Sequence, residues 1–402
     1  MQDAETERRD GIDLTDPASF ASGFPHDDFQ RLRAEAPVCL HPRTPRVTDS
    51  FWVVAGHADC VVAAADPRLR PAHRGGRAAF DAMDAERHDG LRNLLTPALS
   101  PAAMRGIEDD VRLTAEQLVA AASKRGGCDV VHDVAAVLSF HTMARVLGVA
   151  ERDRPALAEL VFLAIDGGTD TDAAREAIER FGHGLVADKR AHPGADILSK
   201  AIHAPIRRRD TGEHDHLDQA EVVGLYDLFI AGGIDTTRDA ISSGVLALAE
   251  NPDQWRSLRA DRSQLRHATE EILRWSTPTP CDWRVATVDL ELSGQLISAR
   301  QRVTLWWASA NRDEAVFPDA PGFDVGRDPN PQVAFGSGQR ACLGAALARL
   351  QIRLLLDVLV DHVARFEVAA QPEWTCTSER TSLASLPIAI TTQHSPSHHN
   401  RG

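Results

Sequence analysis

The sequence predicts a mainly α fold with small β-sheets. Three observations predict it. Apolar residues recur at helical spacing in segment after segment, with glycine and proline marking the breaks. One pattern, from Asp218 to Glu250, runs far longer than the rest. Strand-like stretches are few and short. The 402 residues are 43% hydrophobic, enough for a large core, and length alone would allow two or three domains. No internal repeat and no composition shift marks a linker. One domain over 1–402 fits best, with 1–10 and 392–402 as disordered tails.

Taken in order, Asp28 to Glu35 reads as a helix. Short strands follow at Pro37-Val38 and at Ser50 to Val54. His57 to Ala65 is a helix stopped by Asp66-Pro67. Residues 71–80, PAHRGGRAAF, form a loop. Helices then cover about 88–98, 107–124, 133–148, 153–165 and 172–190. A charged loop, 205–217, holds His214 and His216 around Asp215; a solvated loop fits it better than a metal site. The long helix opens with a capping-box pattern, Asp218-x-x-Glu221, and stops at Asn251-Pro252. At 1.5 Å per residue it spans about 50 Å. More helix follows over 253–275, then strands at 284–290 and 302–308, then an irregular segment, 311–334. The helix AALARLQIRLLL begins at Ala345.

The formal net charge of −14 and the pI near 5.6 argue against nucleic acid or an anionic membrane as a partner. No stretch approaches the roughly 18 apolar residues of a membrane span, and no signal region opens the chain. A soluble, cytoplasmic protein is expected. The six cysteines are scattered with no C-x-x-C pair, so neither a zinc site nor a disulfide framework follows. The histidines of the tail TTQHSPSHHNRG suggest at most adventitious metal binding.

Two stretches carry chemistry. In Phe335-Gly336-Ser337-Gly338-Gln339-Arg340-Ala341-Cys342-Leu343-Gly344, three glycines surround one cysteine at the mouth of a helix. Glycines allow a sharp turn and a close approach by a flat ligand. The exposed N–H groups and the helix dipole are expected to lower the Cys342 pKa. A thiolate held this way is a soft iron ligand. An isolated cysteine would more often be inert and buried. The second stretch, Gly232-Gly233-Ile234-Asp235-Thr236-Thr237, breaks the long helix's own rules, because each glycine costs about 1 kcal/mol relative to alanine. Such violations tend to mark functional sites. A threonine hydroxyl there can bond one turn back and open the helix; a packing kink is the alternative.

The pattern F-x-x-G-x-R-x-C-x-G resembles the haem-ligand loop of the cytochrome P-450 superfamily. GGIDTT resembles that superfamily's oxygen-binding groove, A/G-G-x-D/E-T-T. The resemblance covers nearly the whole chain and is densest from Asp235 to Leu356. It implies the P-450 fold, with haem between the long helix and the cysteine loop. Cys342 would be the axial iron ligand, flanked by Phe335, Gly336 and Gly344. Thr236 would steady bound oxygen and Asp235 would relay protons. Glu271-x-x-Arg274 looks like the superfamily's E-x-x-R, with Arg327 as the later arginine that joins it. His88, Arg92, Arg284 and Arg340 stand where haem propionates are bound.

The resemblance further implies a monooxygenase that uses haem b and O2. NAD(P)H would serve indirectly, because no dinucleotide fingerprint is present. A ferredoxin and its reductase would be the partners of a monomer. Arg340, Arg349 and Arg353 would offer the ferredoxin a cationic dock. The substrate pocket would draw on Arg77, Phe80, the 160–175 turn, Phe229, Gly232, Pro280, Cys281, Asp282, Leu383 and Ala384. Within the superfamily the chain looks most like sterol and branched-lipid hydroxylases and related enzymes of secondary metabolism. MDAERHDGLR lacks the usual prolines, the segment between Pro71 and Glu86 is short, Gln332 replaces a histidine, and Asp282 replaces an apolar residue. These departures favour a small-molecule tailoring step of biosynthesis over steroid or lipid catabolism. Oxidative coupling, nitration, peroxygenation and a non-enzymatic haem sensor are the other readings. A carboxylate at 282 suggests a cationic or hydrogen-bond-donating substrate, unless it pairs with a nearby arginine.

Overall fold

The computed structural model describes residues 12–72, 85–166, 170–207, 214–376 and 380–392. The expected pocket residues Arg77 and Phe80 lie outside them, as do the tail segments 1–10 and 393–402.

The long helix, Gln219–Glu250, is the axis of the main core. Its capping box forms in both directions: the Glu221 N–H donates to Asp218 at 2.8 Å, and the Asp218 N–H donates to Glu221 at 2.9 Å. Against it pack Ala136–Val146, Thr171–Ala191, Leu265–Ser276 and Ala345–His362. Leu347, Leu350, Leu354 and Val358 on the last of these are buried at three- and four-residue spacing, as a core-facing stripe requires.

A five-stranded sheet lies beside this helical body, in the order Val38–His41, Phe51–Val54, Arg302–Leu305, Asp282–Ala286, Leu69–Pro71. Arg302–Leu305 runs parallel to Phe51–Val54 and antiparallel to Asp282–Ala286. Alternation along Asp282–Ala286 sends Asp282 and Arg284 to one face, and Cys281 and Trp283 to the other. That second face belongs to a separate apolar cluster with Phe29, Phe51 and Trp306.

Several elements depart from the sequence expectations. The helix expected over 253–275 is two, Pro252–Ala260 and Leu265–Ser276. The 205–217 loop contains a short hairpin, Ile206–Arg207 with His214–Asp215. Strands at Val363–Val368, Glu373–Cys376, Thr381–Ser385 and Pro387–Thr392 were not foreseen. Thr392, placed in the disordered tail by composition, ends a strand that pairs with Val363.

A buried ion cluster joins the helices to the irregular segment before the cysteine loop. Glu271 and Arg274 are wholly buried and face each other through two contacts of 2.8 Å. Arg327 reaches the same carboxylate at 3.1 Å, and Asn330 does so at 3.1 Å. The Asp324 N–H donates to its other oxygen at 2.9 Å. The remaining guanidinium donors go to the carbonyls of Asn311, Ala320, Pro318, Asp319 and Gly322. Each charge is therefore paired or hydrogen-bonded, which is the condition for burying charge at all. Removing the carboxylate would leave two guanidinium groups buried against each other. Glu271→Ala is expected to cost about 3–5 kcal/mol in urea unfolding; a loss below about 1 kcal/mol would show that the cluster is not a structural clamp.

Candidate active site

The cysteine loop turns twice through left-handed backbone, at Gly336 (φ 70°) and Gly338 (φ 73°). A side chain at 338 would also press on the Ala64 carbonyl, at 3.0 Å. The Cys342 N–H donates to the Phe335 carbonyl at 2.8 Å, which closes the loop. The following helix starts at Ala345 with Gly344 as its cap.

Below the loop, Arg349 holds both oxygens of Glu270, at 2.7 and 2.8 Å, with its guanidinium 4.7 Å from the Phe335 ring centre. Gln332 donates to Glu270 at 2.9 Å and accepts from the Ala334 N–H at 2.7 Å. Burial opposes ionisation of Glu270, yet Arg349 and Gln332 outweigh it and hold its carboxyl below the usual range. The glutamine at 332 thus ties the loop to the Leu265–Ser276 helix.

Cys342 is exposed to a cavity of about 380 Å3. Its thiol is pushed up, not down as expected. Burial among the cavity walls is the larger effect, and it overcomes the downward pull of the Gly344 N–H, Arg92 and Arg349.

The opposite wall is one stripe of the long helix. Leu225, Leu228, Phe229, Gly232, Thr236 and Ala240 line the cavity at three- and four-residue spacing. The two glycines of this stretch do different things. A Cβ at Gly233 would overlap the Met143 methyl, whereas one at Gly232 would meet nothing within 4 Å. The helix stays continuous here. The Thr236 and Thr237 hydroxyls donate to the carbonyls of Gly232 and Gly233, at 2.6 and 3.0 Å. Asp235 does not line the cavity; its carboxylate pairs with Arg238 at 3.2 Å and with Arg380.

All four expected propionate donors, His88, Arg92, Arg284 and Arg340, line the cavity. His88 is driven below its usual pKa by burial and then by Arg340 and Arg92, so it is neutral near pH 7. Asp282 also lines the cavity, where Arg284 donates to it at 3.3 Å. Three guanidinium groups therefore face one carboxylate between largely apolar walls. An excess of two positive charges in such a place fits the two propionates of a haem, and the exposed sulfur fits its iron. Open space over Gly232 leaves room for a flat macrocycle.

Other expected residues are elsewhere. Pro280 and Cys281 are not among the lining residues; strand alternation turns Cys281 into the other apolar cluster. Leu383 is fully buried in the main core, on a strand that packs against the long helix. Arg349 and Arg353 are bound to Glu270 and Glu108, the latter at 2.9 Å, and Arg340 faces the cavity. The expected cationic dock is therefore not built from these three as free charges. Leu225 and Leu228 were missed, although their spacing from Phe229 and Gly232 places them on the same helix face. Leu99 and Met143 also line the cavity, with no comparable local signal.

The cytochrome P450 family model matches residues 168–392. The chain belongs to the cytochrome P450 family. It is 37% identical over 410 residues to putative cytochrome P450 126 of Mycobacterium tuberculosis, with 94% of this chain and 97% of that protein covered. It is 34% identical to linalool 8-monooxygenase of Pseudomonas putida, covering 94% and 98%. The crystal structure of Mycobacterium marinum CYP268A2 in complex with pseudoionone superposes with a TM-score of 0.85 at 31% identity, covering 96% of this chain and all of that one. This P450 is thus an oxidoreductase of the monooxygenase type, whose family uses haem and O2 with reducing equivalents from redox partners. No helix among the described residues is long and apolar enough to cross a membrane.

The two glycines predict opposite outcomes. Gly232→Ala is expected to be neutral or stabilising by up to about 1 kcal/mol in urea unfolding. Gly233→Ala is expected to destabilise by about 1–3 kcal/mol, with partial recovery in a Met143→Ala background. Equal effects at both positions would mean that the helix, not its two different surroundings, sets the cost.

Proposed function

We propose that this P450 inserts one atom of O2 into a small, mainly apolar molecule, as a tailoring step of biosynthesis. Cys342 holds the iron of haem b, and a ferredoxin with its NAD(P)H-dependent reductase supplies the electrons. The observation that carries the reading is the cavity itself, with Cys342 on one wall and Thr236 on the opposite one. Haem, when bound, supplies the oxygen chemistry, and its thiolate ligand favours O–O cleavage. The chain's own residues do the rest. Arg92, Arg284 and Arg340 neutralise the propionates, with His88 as a neutral donor. Leu225, Leu228, Phe229 and Leu99 give the substrate an apolar bed and keep water out. Thr236 orders the water that brings protons to the oxygen side, and Asp235, one residue away, connects that water to solvent.

The substrate class rests on the wall opposite Cys342, which is apolar apart from threonines. Linalool and pseudoionone, named with two of the relatives, are small and mainly apolar. The pairing of Asp282 with Arg284 removes the main reason to expect a cationic substrate. Arg349 and Arg353, though paired, are partly exposed and still permit a ferredoxin to approach the cysteine side.

The test is a Soret-band titration of the haem-loaded protein, followed by turnover with a surrogate ferredoxin and reductase. Neutral terpenoid alcohols and ketones are expected to shift the band from low to high spin, whereas amines and small peptides are not. With such a substrate, Thr236→Ala is expected to lower product formed per NADPH by roughly 10-fold or more, with substrate affinity little changed. A spin shift confined to the nitrogenous panel would overturn the substrate class. Unchanged coupling in Thr236→Ala would remove the hydroxyl from the chemistry.

A further inference from the structure

The long helix carries a second carboxylate that the chemistry above does not use. Asp239 stands one turn after Asp235 and is 2% exposed. Its Oδ1 has no hydrogen-bond partner among the described residues. Two carboxylates four residues apart on one helix face repel each other, and burial makes the repulsion worse.

Two guanidinium groups answer them. Arg238, on the same helix, lies 3.2 Å from Asp235 and 3.5 Å from Asp239. Arg380 arrives from the far end of the chain, immediately before the strand Thr381–Ser385. Its Nε donates to Asp239 Oδ2 at 2.7 Å, and its terminal nitrogens reach both Asp239, at 2.6 Å, and Asp235. Arg380 is the most exposed member of the group, with a quarter of its side chain open to solvent. Several charged groups on the neighbouring elements are bound elsewhere. Glu271 and Arg274 hold each other, Arg365 holds Glu367, and Asp133 holds Arg125. Asp129 accepts from Ser385, Lys189 holds Asp196, and Asp357 holds Arg112.

We propose that Arg380 and Asp239 are a positioning pair for Asp235. The guanidinium holds both side chains off the cavity wall, beside Thr236, and Asp239 seats that guanidinium next to Asp235. Asp235 is thereby kept ionised, able to collect a proton from solvent and pass it to the water at Thr236. The inference rests on the reading of Asp235 as the proton source.

The arrangement has a pH signature. Burial pushes Asp239 up to about 8, against the pull of Arg238. A carboxyl raised on folding contributes stability that is present at low pH and lost as the pH climbs. Over the rise that the partly or wholly buried, neutral histidines His26, His41, His88 and His141 impose in acid, the contribution of Asp239 itself should therefore fall between about pH 4 and pH 8. Asp239→Asn should flatten that fall. Arg380→Gln should steepen it and carry it above pH 8, and the double variant Arg380→Gln/Asp239→Asn should return it toward wild type.

The thermal midpoint of all four proteins, read from pH 5 to 9, tests the charge sharing with or without haem. A second readout needs no substrate. Haem-loaded protein with excess NADPH and the surrogate ferredoxin and reductase, which supply both electrons, is given O2, and its NADPH oxidation rate is followed against pH in H2O and D2O. Arg380→Gln should move the acid limb of that profile up by about one unit, Asp239→Asn should leave it nearly in place because Asp239 is already protonated there, and Arg380→Lys should restore most of the wild-type profile. A midpoint lowered equally at every pH, with the rate profile in place, would overturn the proposal and leave Arg380 as a hairpin anchor. If Asp235→Asn also leaves the limb in place, the reading of Asp235 falls with it. If Asp235→Asn moves the limb and Arg380→Gln does not, the proposal alone falls.

Discussion

The fold depends on one buried carboxylate shared by two guanidinium groups. Glu271 sits between Arg274, three residues on along its own helix, and Arg327, which comes from the irregular segment beyond the sheet. That segment has little regular hydrogen bonding of its own. Its carbonyls at Asn311, Ala320, Pro318 and Gly322 are satisfied instead by the guanidinium donors. The cluster is thus a substitute for secondary structure where none forms. Such a cluster adds little net stability compared with apolar packing, but breaking it is expensive. Its value lies in fixing one path for a chain that would otherwise have many.

The path matters because the cysteine loop begins where the segment ends. Asn311, whose carbonyl meets Arg274, also accepts from the Val333 N–H through its side chain at 2.8 Å. Gln332 and Arg349 then tie the loop to Glu270, the residue beside Glu271. The helix Leu265–Ser276 therefore holds the irregular segment with one glutamate and the cysteine loop with its neighbour. Two adjacent carboxylates convert the position of one helix into the position of the sulfur. The long helix, packed on the same helix, sets the opposite wall. The gap between Cys342 and Thr236 is then a consequence of helix packing, which is stiff.

What was legible in the sequence was local or fixed in spacing. The capping box at Asp218 and Glu221 needs three residues' separation and no tertiary partner. The glycines at 336 and 338 announce left-handed turns wherever they stand. Glu271, Arg274 and Arg327 were readable through the resemblance of their motif, because an i,i+3 ion pair alone says little. What escaped depends on contacts that spacing does not encode. Arg349 meets Glu270 from 79 residues away, so it looked like a free cation near the loop. Arg380 meets Asp235 from 145 residues away. The C-terminal strands pair partly with Gly127–Asp129, and no periodicity within them points there. The thiol's direction was misjudged because a helix terminus was weighed without the walls that surround it. The face of Leu225 and Leu228 is a different case, because the period that places Phe229 and Gly232 at the cavity already includes them.

The central claim is that Cys342, as a thiolate, holds a haem in this cavity. Its most direct test is the Soret band of the haem-loaded protein after reduction and addition of carbon monoxide, compared between wild type and Cys342→His. The account predicts a thiolate-type band in the wild type and its replacement by a nitrogen-ligated type in the variant, with haem still bound. A wild-type band of the nitrogen-ligated type, unchanged by the substitution, would place the iron on another residue and contradict the account.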